Sequence, residues 1–178
     1  MRTLLVVLCL LVPLAAARAG GDTIKFGGEI YKRGFADLDN PVAPVVEFVR
    51  KGDTVANWGK LIGYFHFPKA GDAASTAKDL AARLTEKDHV SNPRITENPE
   101  TGEVLIDFMT TEPGSGVGEF DIFKYAKAGD NQGLVAFQYA EHVKLGEMDS
   151  DAFSRHREEA VKAVAEFDMD EVNGYFWE

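Results

Sequence analysis

The chain has 178 residues, 45% of them hydrophobic and 27% charged, with 19 Lys+Arg against 29 Asp+Glu and a formal net charge of -10. That balance repels phosphate backbones and anionic lipid, and no Lys/Arg cluster offsets it locally, so nucleic acid is excluded as a partner class. The only cysteine, Cys9, lies in the N-terminal apolar run, so a chain that has lost that run has no disulfide, no thiolate chemistry and no cysteine-held metal.

Arg2 precedes an apolar stretch from Leu4 to Ala17 broken by Pro13, and Ala17-Arg18-Ala19 puts small residues one and three positions before a cut. This is the order of a secretory signal peptide over residues 1–19, which leaves residues 20–178 as one domain. The run is shorter than the roughly 20 apolar residues of a membrane span, so no span is expected after cleavage. Leu8 stands where lipoprotein processing before Cys9 wants a small residue. Export is expected, to a periplasm rather than the extracellular space, because a domain without disulfides has to be held by its core alone.

From Asp22 to Asn40, Ile24, Phe26, Ile30, Tyr31 and Phe35 are interspersed with glycines, a pattern that fits a bent strand or a loosely docked arm. Pro41 and Pro44 bar a helix. Val45 to Val49 is a β-branched run closed by Lys51-Gly52-Asp53 and predicts a strand ending in a turn. Trp58, Leu61, Ile62 and Phe65 have helical spacing, whereas Leu61 to Phe67 also alternates as a strand does. A short helical turn at Trp58 followed by a strand over 61–67 is expected.

Asp72 is placed to cap a helix running to Lys87, with Ala73, Ala77, Leu80, Ala81 and Leu84 on one face. His89 to Asn92 reads as a loop. Residues 93–143 predict an antiparallel meander. Ile95 sits in a short strand, Asn98-Pro99-Glu100-Thr101-Gly102 makes a turn, and Val104, Ile106 and Phe108 alternate with Leu105, Asp107 and Met109. A strand with Phe120, Ile122, Phe123 and Tyr125 follows, and then one with Val135, Phe137 and Tyr139 on one side and Gln138 and His142 on the other. A second helix begins near Asp149 or Ser150 and runs to about Phe167 with a stripe of Phe153, Ala160, Val161, Val164 and Phe167. The ending from Val172 to Trp177 is too aromatic to be free, and docking against the sheet or a partner is expected.

The sum is an α+β domain: an antiparallel sheet of about five or six strands packed by two main helices, behind an N-terminal signal peptide. Both faces of the strands carry apolar residues, so helices are expected on one side and partly on the other.

Chemistry-bearing motifs are few. His66, His89, His142 and His156 show no metal-ligand spacing, although adjacent strands offer a way to bring His66 and His142 together. Gly114 to Gly118 leads into a strand pattern without lysine, unlike a phosphate loop. Ser115 lacks the Gly-x-Ser-x-Gly frame of a nucleophile elbow, because Pro113 and Val117 occupy its glycine positions. Asp168 to Gly174 fails the register of a calcium loop. No catalytic residue, metal ligand or cofactor is assigned.

Among the aromatic residues, Trp58, Tyr64, Phe65, Phe67, Tyr139, Tyr175, Phe176 and Trp177 are candidates for lining a groove as well as for core packing. Trp58, Tyr64, His66, His142, Tyr175 and Trp177 are taken as the ligand-binding candidates. The expected function is an exported, non-catalytic binding or accessory protein that holds a protein partner or a small apolar ligand. The alternative is a carboxylate- and histidine-dependent hydrolase or a cation-dependent enzyme in the same compartment.

Overall fold

The computed structural model describes residues 21–87, 91–111, 114–147 and 149–177. Residues 1–19, expected to be a signal peptide, with Cys9 among them, and His89 lie outside the described residues. One antiparallel sheet carries eight strands: β1 (Thr23–Phe26), β2 (Glu29–Asp37), β3 (Val45–Arg50), β4 (Lys60–Phe67), β5 (Arg94–Glu97), β6 (Val104–Thr111), β7 (Val117–Lys127) and β8 (Leu134–Lys144). Their spatial order is β1-β2-β3-β4-β8-β7-β6-β5. Three helices complete the chain: α1 (Ala73–Lys87), α2 (Ser150–Ala165) and α3 (Met169–Trp177).

The α+β class and the single antiparallel sheet hold, but the expected five or six strands are eight and the two main helices are three. Part of the difference lies at the start. Asp22 to Asn40 is neither a bent strand nor an arm, because Gly27 and Gly28 take φ of 56° and 79°. Two successive positive φ values make the tight turn that folds β1 back on β2, pairing Phe26 with Glu29 and Thr23 with Lys32. At the other end, Met169 to Trp177 docks as a helix, with Met169, Val172 and Tyr175 buried. The helical turn expected at Trp58 is absent. Thr54 and Asn57 form an isolated bridge there, and Trp58 lies in an irregular connection.

Strand periodicity divides the sheet into two faces. On one, Ala73 and Ala77 of α1 meet Val104, Ile106, Tyr125, Leu134 and Ala136. Alanine lets the helix sit close, and Asp72 caps it by accepting the Ser75 N–H at 2.8 Å. On the other face, Val164 of α2, Phe167, and Met169, Val172 and Tyr175 of α3 pack on Phe48, Ile62, Tyr64, Ile122 and Phe137. Asp149 caps α2 through the Ala152 N–H at 2.7 Å. Burying each large apolar side chain is worth about 1.5–3 kcal/mol, so these two layers hold the sheet without a disulfide. α1 covers the β5, β6 and β7 side of its face and leaves β4 and β8 partly open. That opening is where a site can form.

Candidate functional site

The open part of the α1 face is a cleft of about 570 Å³ lined from the sheet by Phe65, Phe67, Phe108, Phe123 and Tyr125, and from the helix side by Thr76, Leu80 and Arg83. The rings are ordered. Phe65 and Phe67 lie 5.8 Å apart at 4°, Phe123 and Phe108 6.2 Å apart at 6°, and Phe123 and Tyr125 5.9 Å apart at 11°. Residues two apart on a strand share a face, which is why each strand contributes a short ladder of rings. Gly63 makes room for them. A Cβ at that position would stand 2.5 Å from the Phe65 ring and 2.9 Å from Gln138 Oε1.

Glu119, Asp121 and Gln138 are polar residues that the sheet adds to the lining. Asp121 is buried, and its Oδ1 accepts a 2.7 Å hydrogen bond from Gln138 Nε2. Burial, and next to it the charge of Glu119, push its carboxyl up to about 7, while the Gln138 hydrogen bond acts the other way. A side-chain hydrogen bond with Glu119 acts in the same upward direction as burial. Glu119 Oε2 lies 3.7 Å from His142 Nε2. The His142 ring stacks on Trp58 at 4.0 Å and 12°, with its Nδ1 2.8 Å from the Trp58 carbonyl oxygen. Glu47, on the same face, has its carboxyl raised by burial alone. The arrangement can seat a flat apolar body and offer two neighbouring carboxyls to its polar end.

The six candidates from the sequence separate into three places. Trp58 and His142 stack beside the cleft, next to Glu119. Tyr64 and Tyr175 meet edge to face at 5.8 Å in the opposite core, where Tyr64 is 1% exposed and the Tyr175 hydroxyl accepts from Arg33 at 3.0 Å. His66 lies edge-on to Trp177 at 4.8 Å, and its Nε2 is 3.0 Å from the Gln132 carbonyl. The structure therefore does not bring His66 and His142 together. Their strands are neighbours, but His66 pairs with Val135 and Glu141 with Lys60, which puts the histidines at opposite ends and on opposite faces. Among the described residues no group of three or more His, Cys, Asp or Glu is placed to hold a metal.

Phe65 and Phe67 of the groove candidates line the cleft, whereas Tyr139 belongs to the other core. Glu119, Asp121, Phe123 and Tyr125 were not singled out as site residues. Their signal was present: two acids and two aromatics at every second position of one strand fall on one face.

A protein-family model matches residues 20–169. The chain belongs to that family. The family is uncharacterised, and its match contains Trp58, Glu119, Asp121, Gln138 and His142, with Tyr175 and Trp177 outside it. No curated protein and no solved structure matches the chain.

Proposed function

We propose that this is an exported, non-catalytic binding protein whose cleft on the α1 face takes up a small aromatic or otherwise apolar ligand. The observation that carries the reading is the cleft: five aromatic side chains surround about 570 Å³ of open volume instead of filling it. Ligand sites have volumes of roughly 300–1,000 Å³ with apolar walls and few polar groups, and Asp121 with Gln138 supplies those groups here. Export is supported by the apolar run and the Ala17-Arg18-Ala19 ending, and by a family match that begins at residue 20. The lack of any cysteine after Cys9 supports a periplasmic over an extracellular location, since disulfides are frequent in small secreted domains.

The test is fluorescence titration with N-phenyl-1-naphthylamine, a neutral aromatic probe that brightens in apolar surroundings, on protein purified after expression of the full chain. Saturable binding is expected, and Leu80→Trp, which fills the cleft from its helix wall, is expected to weaken it at least tenfold while Tm changes little. Probe fluorescence that does not saturate, or that survives Leu80→Trp, overturns the reading.

A second reading, a hydrolase working by carboxyl acid–base chemistry, is favoured by one observation: the raised Asp121 carboxyl beside Glu119. Two carboxyls whose environments push their proton affinities apart suit acid and base roles near neutral pH. Release of nitrophenol from p-nitrophenyl esters or glycosides that disappears in Asp121→Asn would establish it. Equal rates in both proteins would remove it.

A further inference from the structure

Building on the binding reading, we propose that the ligand is an organic cation of the arylalkylamine type, its ammonium set against the Glu119 and Asp121 carboxyls and its ring among Phe65, Phe123 and Tyr125. The first reason is a missing counter-charge. The groups that act on the Asp121 carboxyl are Glu119 and Gln138, an acid and an amide, and neither brings a positive charge. Glu119 has His142 at 3.7 Å, and the other ring nitrogen of His142 is engaged by the Trp58 carbonyl. A buried carboxylate without a cation is costly, so Asp121 holds its proton in the free protein, and an ammonium partner would supply the charge that stabilises its ionised form.

The walls point the same way. Phe65, Phe67, Phe108, Phe123 and Tyr125 line the cleft, and aromatic rings attract ammonium groups to their faces. The mouth does hold two cations, Lys69 and Arg83, both exposed. Arg83 acts on the Tyr125 hydroxyl and is not among the groups that shift Asp121. Lys69 follows β4 just after Phe67, which pairs with Leu134, at the end of the sheet away from Glu119. Neither neutralises the acid end. Glu47 adds a third carboxyl to this face of the sheet, and the chain's net charge of -10 draws cations toward it. An aryl carboxylate would face two acids, and an aryl alcohol would bring no charge to them.

Binding is coupled to a proton. An ammonium beside Asp121 favours the carboxylate, so at pH 6.5 binding of the amine releases the Asp121 proton to solvent. The groups facing this pair are His142 from β8, 3.7 Å from Glu119, and Gln138 on Asp121; the other charged groups of this face, Glu47 on β3 and Lys69 and Arg83 of the lining, are not among those that act on Asp121.

The experiment is calorimetric titration of the protein with 2-phenylethylamine, 2-phenylethanol and 3-phenylpropanoate, which share a ring and differ in charge. The amine is expected to bind at least tenfold more tightly than the alcohol, and the carboxylate more weakly than either. At pH 6.5 the heat of amine binding should vary with the ionisation enthalpy of the buffer, in the sense of proton release. Asp121→Asn and, as a variant at a half-exposed position, Glu119→Gln should each weaken the amine at least tenfold and bring the amine-to-alcohol affinity ratio toward one. Equal affinity for alcohol and amine, or amine binding undiminished in both variants, overturns the cation assignment while naphthylamine binding persists. Loss of naphthylamine binding in the unaltered protein overturns the cleft itself, so the two failures are separable.

Discussion

Asp121 keeps its proton to about pH 7, against an ordinary value of 3.8, because it is buried beside Glu119. A carboxyl whose folded pKa is raised favours the folded state while protonated in both states, below about pH 4, and that advantage is lost as pH rises toward 7. Stability should therefore fall between about pH 4 and 7, and Asp121→Asn, which keeps an acceptor for Gln138, should flatten that slope and raise stability at pH 8. Urea midpoints at pH 5 and pH 8 measure this; a variant less stable than wild type at pH 8 would contradict it. Arg157 presents the opposite case. Its Nε donates to Asp107 Oδ1, and the two side chains are 11% and 9% exposed. Removing one partner of a buried pair costs about 3–5 kcal/mol, so Arg157→Met should lower stability by that order, with much of it recovered in Arg157→Met combined with Asp107→Leu. An additive double mutant would deny the pairing. Asp107 was visible in the sequence as an acid among apolar alternating residues, but its partner 50 positions away was not, because only the docking of α2 on β6 and β7 brings them together.

Lys124 shows how a single buried charge fixes an element. Its side chain is 4% exposed and lies 3.2 Å from Glu103, and its Nζ donates to the carbonyls of Ala165 at 3.0 Å and Phe167 at 2.8 Å. The last carbonyls of a helix lack partners within it, and a cation is favourable there, so β7 closes the end of α2 and sets where α3 starts. Strand β4 depends on an absence of side chain. Because a Cβ at Gly63 would meet the Phe65 ring and Gln138, Gly63→Val should cost about 1–3 kcal/mol as an overpacked site does and displace the Phe65 wall. Naphthylamine titration should show weakened binding, and an unchanged affinity would mean that the Phe65 ring is not part of the wall. The helices over 73–87 and 150–165 and the hairpin of β5 and β6 were legible because capping residues, periodicity and a proline–glycine turn are local signals. The Trp58 segment misled because a stacking partner 84 residues away set its conformation instead of its own spacing.

For the whole molecule, one sheet covered by α1 on one face and by α2 and α3 on the other gives a domain with two cores, and the incomplete cover by α1 leaves the cleft. No helix among the described residues is long and apolar enough to cross a membrane. If the N-terminal run is a cleaved address, expression of the full chain in a bacterial host should yield a periplasmic protein whose first residue is Gly20, read by intact mass; a cytoplasmic product starting at Met1 would refute export. The sequence by itself determined the acidic surface, the α+β class and most of the helices and strands, since charge, capping and hydrophobic period act over a few residues. Only the tertiary structure decided the strand order, the eight-strand count and the company each polar side chain keeps. Register between distant strands sets which residues share a face, and nothing local in the sequence encodes that Trp58 would stack on His142 or that Asp121 would lie beneath an uncovered row of rings.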